Sequence, residues 1–288
     1  MIDLHIHTNA TPHHATWTPD TLMAAAARAG LQVIAVTDHN TTAGVRAAQE
    51  AGRHTGIHVI SGVEIDAGFP AGRHDDRLPS KLWHVLIYGA DPEHPSLLAL
   101  CRSVDERNLA DADGLQHHLI AAGFRLPGID ASERLPRVAD IGAALGRAND
   151  LPDRAPEDDD ESAGMRYILT RLPGMYRPPG VEEIVAVAHE TGGVAVLAHP
   201  GRSKGVYAIP ATAEDIAIMA EVGLDGIEVY YPTHRPEQTA MYRQLAQQHR
   251  LLITGGSDSH HPYQPLARWP AGWCRAFLER LGVDGRGA

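Results

Sequence analysis

The sequence is poor in cysteine, has no long apolar run and carries no excess of positive charge. Its two cysteines, Cys101 and Cys274, stand far apart in 288 residues, which argues against a disulfide framework. No apolar stretch approaches the roughly 18 residues that a membrane-spanning helix needs. The first strand-like run begins at Met1, leaving no room for a signal peptide. These features read as a protein of a reducing cytoplasm with no membrane partner. The formal net charge of −11 offers no attraction to a polyphosphate backbone. Long nucleic acid is therefore disfavoured as a partner, and an anionic substrate needs local Arg, Lys or metal charge.

What is abundant is histidine, with 18 residues, in a chain whose 43% hydrophobic and 21% charged content is that of an ordinary globular protein. His54, His58, His94, His117, His118, His189 and His249 lie in polar helical contexts and read as solvated. His5, His7, His39, His84, His199 and His260 instead adjoin strand-like runs. In Met1-Ile2-Asp3-Leu4-His5-Ile6-His7-Thr8 the two histidines are two apart, so on a strand both imidazoles point to one face and can reach one ion. A lone His-x-His is weak evidence, since an edge strand can carry two solvated histidines. Recurrence changes that: Val36-Thr37-Asp38-His39, Gly62-Val63-Glu64, Trp83-His84, Leu197-Ala198-His199-Pro200 and Gly255-Gly256-Ser257-Asp258-Ser259-His260 each set a His or carboxylate beside an apolar run.

In chain order, Thr18-Pro19-Asp20 opens a helix that Gly30 closes. Val33–Val36 reads as a buried strand, residues 42–54 as a helix, and His58–Ile65 as a strand. Residues 67–82 read as a loop leading to the strand Leu82–Tyr88. Such alternation predicts a parallel α/β sheet or barrel. Apolar residues then recur at helical spacing from Pro95 to Gly123. From Phe124 to Pro179 the sequence predicts short helices, prolines and a solvated acidic loop at residues 157–161. Residues 96–178 are accordingly expected to form a helical insertion over one end of a main domain built from 1–95 and 179–288. Alternation resumes with helix Val181–Thr191, strand Val194–Ala198, helix Ala213–Val222, strand Gly226–Tyr230, helix Pro236–His249 and strand Leu251–Thr254, giving roughly seven strands. His7, Asp38-His39, Glu64, His199 and Asp258-His260 fall at strand C-terminal ends, where such folds build their sites. His84 stands at the start of its run.

Imidazoles mixed with carboxylates suit Mn, Fe or Zn better than Ca or Mg. Some nine ligands can hold two or three ions bridged by a carboxylate, Glu64 being the natural bridge. Such a cluster generates hydroxide at neutral pH and clamps phosphoryl oxygens. Asp3 and Asp38 read as acceptors that orient ligand imidazoles.

Asp-Leu-His-x-His-Thr, Thr-Asp-His, Gly-Val-Glu-Ile, Ala-His-Pro-Gly-Arg and Gly-Ser-Asp-x-His, in this order, resemble the PHP (polymerase and histidinol phosphatase) metal-dependent phosphoesterases. The stretch from Gly193 to His260 is similar to the subgroup of nucleoside 3′,5′-bisphosphate phosphatase and 5′→3′ exoribonuclease. The resemblance covers nearly the whole chain. It implies a distorted seven-stranded (β/α)7 barrel with a small, mostly helical inserted domain, in agreement with the strand count. It implies two or three divalent transition-metal ions, Mn2+ first, with Zn2+ or Fe2+ as alternatives. One ion is expected on His5, His7, Glu64 and Asp258, and a second on Glu64, His84 and His199. A third is expected between His39, His260 and a residue of the first loop, where many relatives have Asp. This chain reads Thr11-Pro12-His13-His14 there, and the resemblance favours His13 over His14, since His13 stands six after His7 as in family members that use His at this place. Glu64 and Asp258 are the expected catalytic centre.

By the same resemblance Arg202 binds a substrate phosphate through two parallel hydrogen bonds, the bland alternative being a surface arginine packed on its loop. Arg137 opens a segment similar to the subgroup's Arg-Pro-His substrate motif, but the chain continues Val138-Ala139-Asp140, and an acid is unfavourable beside a phosphate. His234 is a candidate substrate contact or general acid, against a structural role. The expected function is hydrolysis of a phosphate ester of a small metabolite, with a nucleotide favoured. The alternatives are histidinol-phosphate phosphatase, a metal-dependent C–N hydrolase, and a non-catalytic metal-binding domain.

Overall fold

The computed structural model describes residues 1–11, 14–68, 81–129, 134–202 and 210–283. Seven strands form one sheet in sequence order: β1 (Ile2–Ile6), β2 (Val33–Val36), β3 (His58–Gly68), β4 (Leu82–Tyr88), β5 (Val194–Leu197), β6 (Gly226–Tyr230) and β7 (Leu252–Gly255). Pairings are parallel except those of β4, which runs antiparallel to both β3 and β5. The sheet curls into a distorted barrel, and the segment after β7 returns to the first strand. There Asp258 N donates to His5 O at 2.8 Å and His7 N donates to Ser259 O at 2.9 Å.

Helices on the outside follow the expected signals. Helix α1 (Pro19–Ala29) starts with the Thr18 cap and a first-turn proline and ends at Gly30, whose φ of 71° suits a residue without Cβ. Helix α2 (Val45–Thr55) starts three residues later than expected. Asn40 takes a positive φ, and Thr42 Oγ1 donates to Pro92 O, so residues 40–44 form the connection instead. α6 (Val181–Glu190), α7 (Ala213–Glu221), α8 (Pro236–His249) and α9 (Arg275–Arg280) complete the barrel's surround.

Between β4 and α6 lie α3 (Pro95–Ala121), α4 (Val138–Ala148) and α5 (Asp160–Arg171). The first half of α3 does not leave the barrel: Leu97, Leu100, Cys101 and Val104 pack in its core with Val85, Ile184 and Leu197. The second half, through Ala112, Leu115 and Leu119, joins a separate core with Ile141, Leu145 and Met165. One 27-residue helix thus ties both cores together. The acidic run is not the expected loop. Asp159 caps α5 by accepting from Ser162 N at 2.8 Å, and buried Asp158 binds Arg166 through two bonds of 2.8 and 2.9 Å.

Candidate metal centre

Six imidazoles converge on one end of the barrel, around the carboxylate of Glu64. His5 and His7, same-face residues of β1 and its extension, are fully buried, as is Glu64 near the middle of β3. The chain beyond β2 continues beside β3, with Asn40 N donating to Glu64 O, and this brings His39 against Glu64. His84 comes from β4. Because β4 runs the other way, the start of this strand meets the C-terminal ends of the others, which explains its position in its sequence run. His199 and Asp258 follow β5 and β7 with φ of 27° and 57°, conformations that turn their side chains inward and cost strain in non-glycine residues.

Among the described residues five imidazoles lie within 3.3 Å of Glu64: His5, His84 and His199 on Oε1 at 3.3, 2.9 and 3.1 Å, and His7 and His39 on Oε2, both at 3.2 Å. Asp258 Oδ1 approaches His7 Nε2 at 3.1 Å and His5 Nε2 at 3.6 Å. The His260 ring stacks on His7 with centroids 4.0 Å apart. His5 Nε2, both nitrogens of His7 and Glu64 Oε2 are buried without a hydrogen-bond partner. Buried polar atoms left without partners, His5 Nε2, His7 Nε2 and Glu64 Oε2 lying close together, fit a cation better than they fit one another.

The electrostatics agree. Burial works against ionisation of Glu64 and Asp258, but the surrounding histidines reverse this and hold both carboxyls well below the usual range. Burial keeps His39 and His260 neutral, the latter lowered to about 4, with lone pairs available. His5, His7 and His84 go the other way: burial lowers each, yet neighbouring carboxylates, Glu64 foremost among them for His5 and His84 and Asp258 and Glu64 for His7, raise them above a free imidazole. Ionised carboxylates that draw protons onto His5, His7 and His84 mark a site whose negative charge a divalent ion can neutralise in place of those protons.

Donor atoms of His5, His7, Glu64 and Asp258 lie within 4.8 Å of one another, as the first expected ion requires. A second such group is His39, Glu64 and His84, where His199 had been expected in place of His39. His199 instead reaches Glu64 Oε1 beside His84. A third is His7, His39 and His260. His13, the expected partner of that third group, lies outside the described residues, and exposed His14 lines the adjoining cavity.

Three other expectations change. Among the described residues, Asp3 and Asp38 hydrogen-bond to no imidazole. Asp3 accepts from the backbone of Ser257 and Ala267, and Asp38 from Thr8 and Thr11, so both tie loops together. Burial raises Asp3 to about 7. His234 does not line the cavity, and both its ring nitrogens are engaged by backbone: Nε2 accepts from Gly201 N at 3.0 Å and Nδ1 donates to Val229 O at 2.9 Å. It has no nitrogen left for a leaving oxygen and positions the His199–Arg202 loop instead. Arg137 lines the cavity but is paired with Asp105, while Asp140 accepts from Arg137 N and binds Arg134. Arg202 lines the cavity, donating to Asp258 Oδ2 at 3.1 Å.

Two residues went unnoticed in the sequence. Glu228, fully buried in β6, sets both carboxylate oxygens 3.3 Å from His5 Nδ1 and accepts from His199 N at 2.7 Å. Tyr231 Oη donates to Asp258 Oδ2 at 3.0 Å. A carboxylate in the middle of Gly226-Ile227-Glu228-Val229-Tyr230 was the available signal for the first.

A family model described as "PHP domain" matches residues 3–122. The phosphoribosyl 1,2-cyclic phosphate 1,2-diphosphodiesterase of Eggerthella lenta is 31% identical over 275 residues, 90% of this chain and 93% of that protein. The chain belongs to the PHP family. Among other PHP relatives, the 3′,5′-nucleoside bisphosphate phosphatase of Chromobacterium violaceum is 29% identical, covering 91% of this chain and 87% of that one. The 5′-3′ exoribonuclease Rnm of Escherichia coli is 30% identical, covering 91% and 86%. A solved structure described as a putative metal-dependent phosphoesterase from Bifidobacterium adolescentis superposes with a TM-score of 0.67 at 27% identity, covering 100% of this chain and 98% of that one. A second, described as an amidohydrolase from Chromobacterium violaceum with bound sulfate, gives 0.66 at 27%, covering 98% and 95%. The protein is a metal-dependent phosphoric ester hydrolase of the PHP family.

Proposed function

We propose that the substrate is a small phosphorylated metabolite, a nucleotide or a short oligonucleotide end, and that Mn2+ is the preferred metal. The observation that carries this reading is one cavity of about 720 Å³. It joins His39, His84, His199, His260 and Arg202 to Trp83, Met165 and Tyr176, and its size falls within the roughly 300–1,000 Å³ of small-molecule sites. Its far wall comes from α3, α4, α5 and their connections, which supports reading residues 96–178 as an insertion that covers the active site.

The ions, when bound by His5, His7, His39, Glu64, His84, His199, Asp258 and His260, supply Lewis acidity and an activated water for attack on phosphorus. Glu64 keeps the cluster anionic and holds five imidazoles in register. Arg202, at the cavity edge of the same cluster, is placed to take a phosphoryl oxygen, and Asp258 and Tyr231 anchor the loop geometry around it. Burial of the cluster strengthens each of these charged contacts. The test is phosphate release by Mn2+-reconstituted protein from adenosine monophosphates, cyclic phosphates, 5′-phosphorylated oligoribonucleotides and histidinol phosphate, with bound metal counted in parallel. Turnover that is lost in His7→Ala and Asp258→Ala supports the reading. A fully metal-loaded protein inert to every ester sinks it and moves the weight to C–N hydrolysis or metal binding without catalysis.

A further inference from the structure

The cavity has two ends of different chemistry. At the metal end Arg202 faces the donor cluster. The opposite end is built by the insertion, and among the described residues that line it the cations are Arg134 and Arg137. Neither is uncommitted. Arg134 donates through Nη1 and Nη2 to the two oxygens of Asp140, both at 2.7 Å. Asp140 is itself held in place, since it also accepts from Arg137 N at 2.7 Å at the start of α4. The Arg137 guanidinium is bound to the carboxylate of Asp105 on α3. Away from the donor cluster, the charged described residues that line the cavity are Asp105, Asp140 and Glu161 against Arg134 and Arg137, while Asp66 lies 3.5 Å from His84 at the metal end. Trp83, Asn108, Met165 and Tyr176 stand among them.

We infer that this end of the site takes an uncharged group such as a nucleobase, so that the substrate carries a single phosphoryl group and a bisphosphate is discriminated against. This rests on the phosphoesterase reading above. A second phosphate, bringing a charge of roughly −1.5 to −2, would enter a wall whose described residues include more carboxylates than guanidiniums. It would have to displace a two-bond carboxylate from Arg134 and leave Asp140 without its partner, which is unfavourable for a half-buried charge. A neutral aromatic ring displaces nothing and gains contact with Trp83 and Tyr176. The single phosphoryl group can be a monoester or a cyclic diester, both of which meet the same wall.

The experiment compares kcat/KM of the Mn2+-reconstituted protein for adenosine 5′-monophosphate, adenosine 2′,3′-cyclic phosphate and adenosine 3′,5′-bisphosphate. The monoester or the cyclic diester is expected to exceed the bisphosphate by at least about tenfold, and Asp140→Asn and Asp105→Asn are each expected to narrow that ratio about threefold or more. Because Asp140 also caps α4, Asp105→Asn, confirmed as folded by circular dichroism, is the deciding variant. A wild-type preference for the bisphosphate, or a ratio unmoved in Asp105→Asn, overturns the inference while leaving the phosphoesterase intact. If no ester at all is turned over with metal bound, the underlying reading fails and the inference with it.

Discussion

At Glu64 the imidazoles of His5, His7, His39, His84 and His199 meet one buried carboxylate. Each of these residues is legible in the sequence, because each sits in a short local pattern at a strand end. Glu228 is not legible in that way. Its partner His5 lies 223 residues away, and only the curl of the sheet reveals that the carboxylate faces His5 Nδ1 rather than solvent. That contact fixes which nitrogen of His5 carries the proton, and so leaves Nε2 as the donor to an ion. Glu228→Gln is therefore expected to weaken metal affinity by about 10- to 100-fold, measured by calorimetric Mn2+ titration and by metal content after dialysis. An unchanged affinity would show that Glu228 only fills space. The role expected of His234 is likewise decided by contact rather than by motif, since the backbone takes both its ring nitrogens.

Among the elements, β4 shows why the strand count was legible and the strand direction was not. Alternating apolar runs reveal strands, but direction depends on the connection. Parallel neighbours need a crossover of a dozen or more residues, usually a helix, and residues 67–82 show no helical period. The α4–α5 pair was legible only as helical spacing. Its closeness comes from Gly142, Gly146 and Gly164: a Cβ at Gly164 would overlap the carbonyl of Gly142, and one at Gly146 that of Asp160. Gly164→Ala is expected to destabilise by about 1–3 kcal/mol, seen as a fall of several degrees in Tm; an unchanged Tm would mean that the helices separate freely. The same pair is expected to be acid-sensitive. The Arg166 fork holds Asp158 below its ordinary value, and Asp140, despite burial, is lowered by Arg134 and the Arg137 N–H. Depressed carboxyls contribute stability above the unfolded pKa of about 3.9 and lose it as pH falls through the folded value. Tm is thus expected to drop from about pH 4.5 downward, and the drop is expected to be smaller in Arg166→Gln.

For the molecule as a whole, the donor cluster concentrates buried, partnerless polar atoms at the one place where strands β1 to β7 converge. Ions that bind only the folded chain raise stability by mass action, about 2.7 kcal/mol at a hundredfold excess over Kd. Chelation is therefore expected to lower Tm and Mn2+ to restore it, with the effect absent in Asp258→Ala; a Tm indifferent to chelator would argue against an ion at Glu64. The alternation of strand and helix patterns made the barrel's class legible, while the division of α3 between two cores could not be read from its uniform apolar spacing.

The bonds from Asp258 to His5 and from His7 to Ser259 join residues about 250 positions apart in the sequence. A nascent chain holding only its first 250 residues has His5 and His7 but no Asp258 beside them. At about 5–20 residues per second, the donor group of His5, His7, Glu64 and Asp258 is complete only once residue 258 has been made, many seconds after its two histidines.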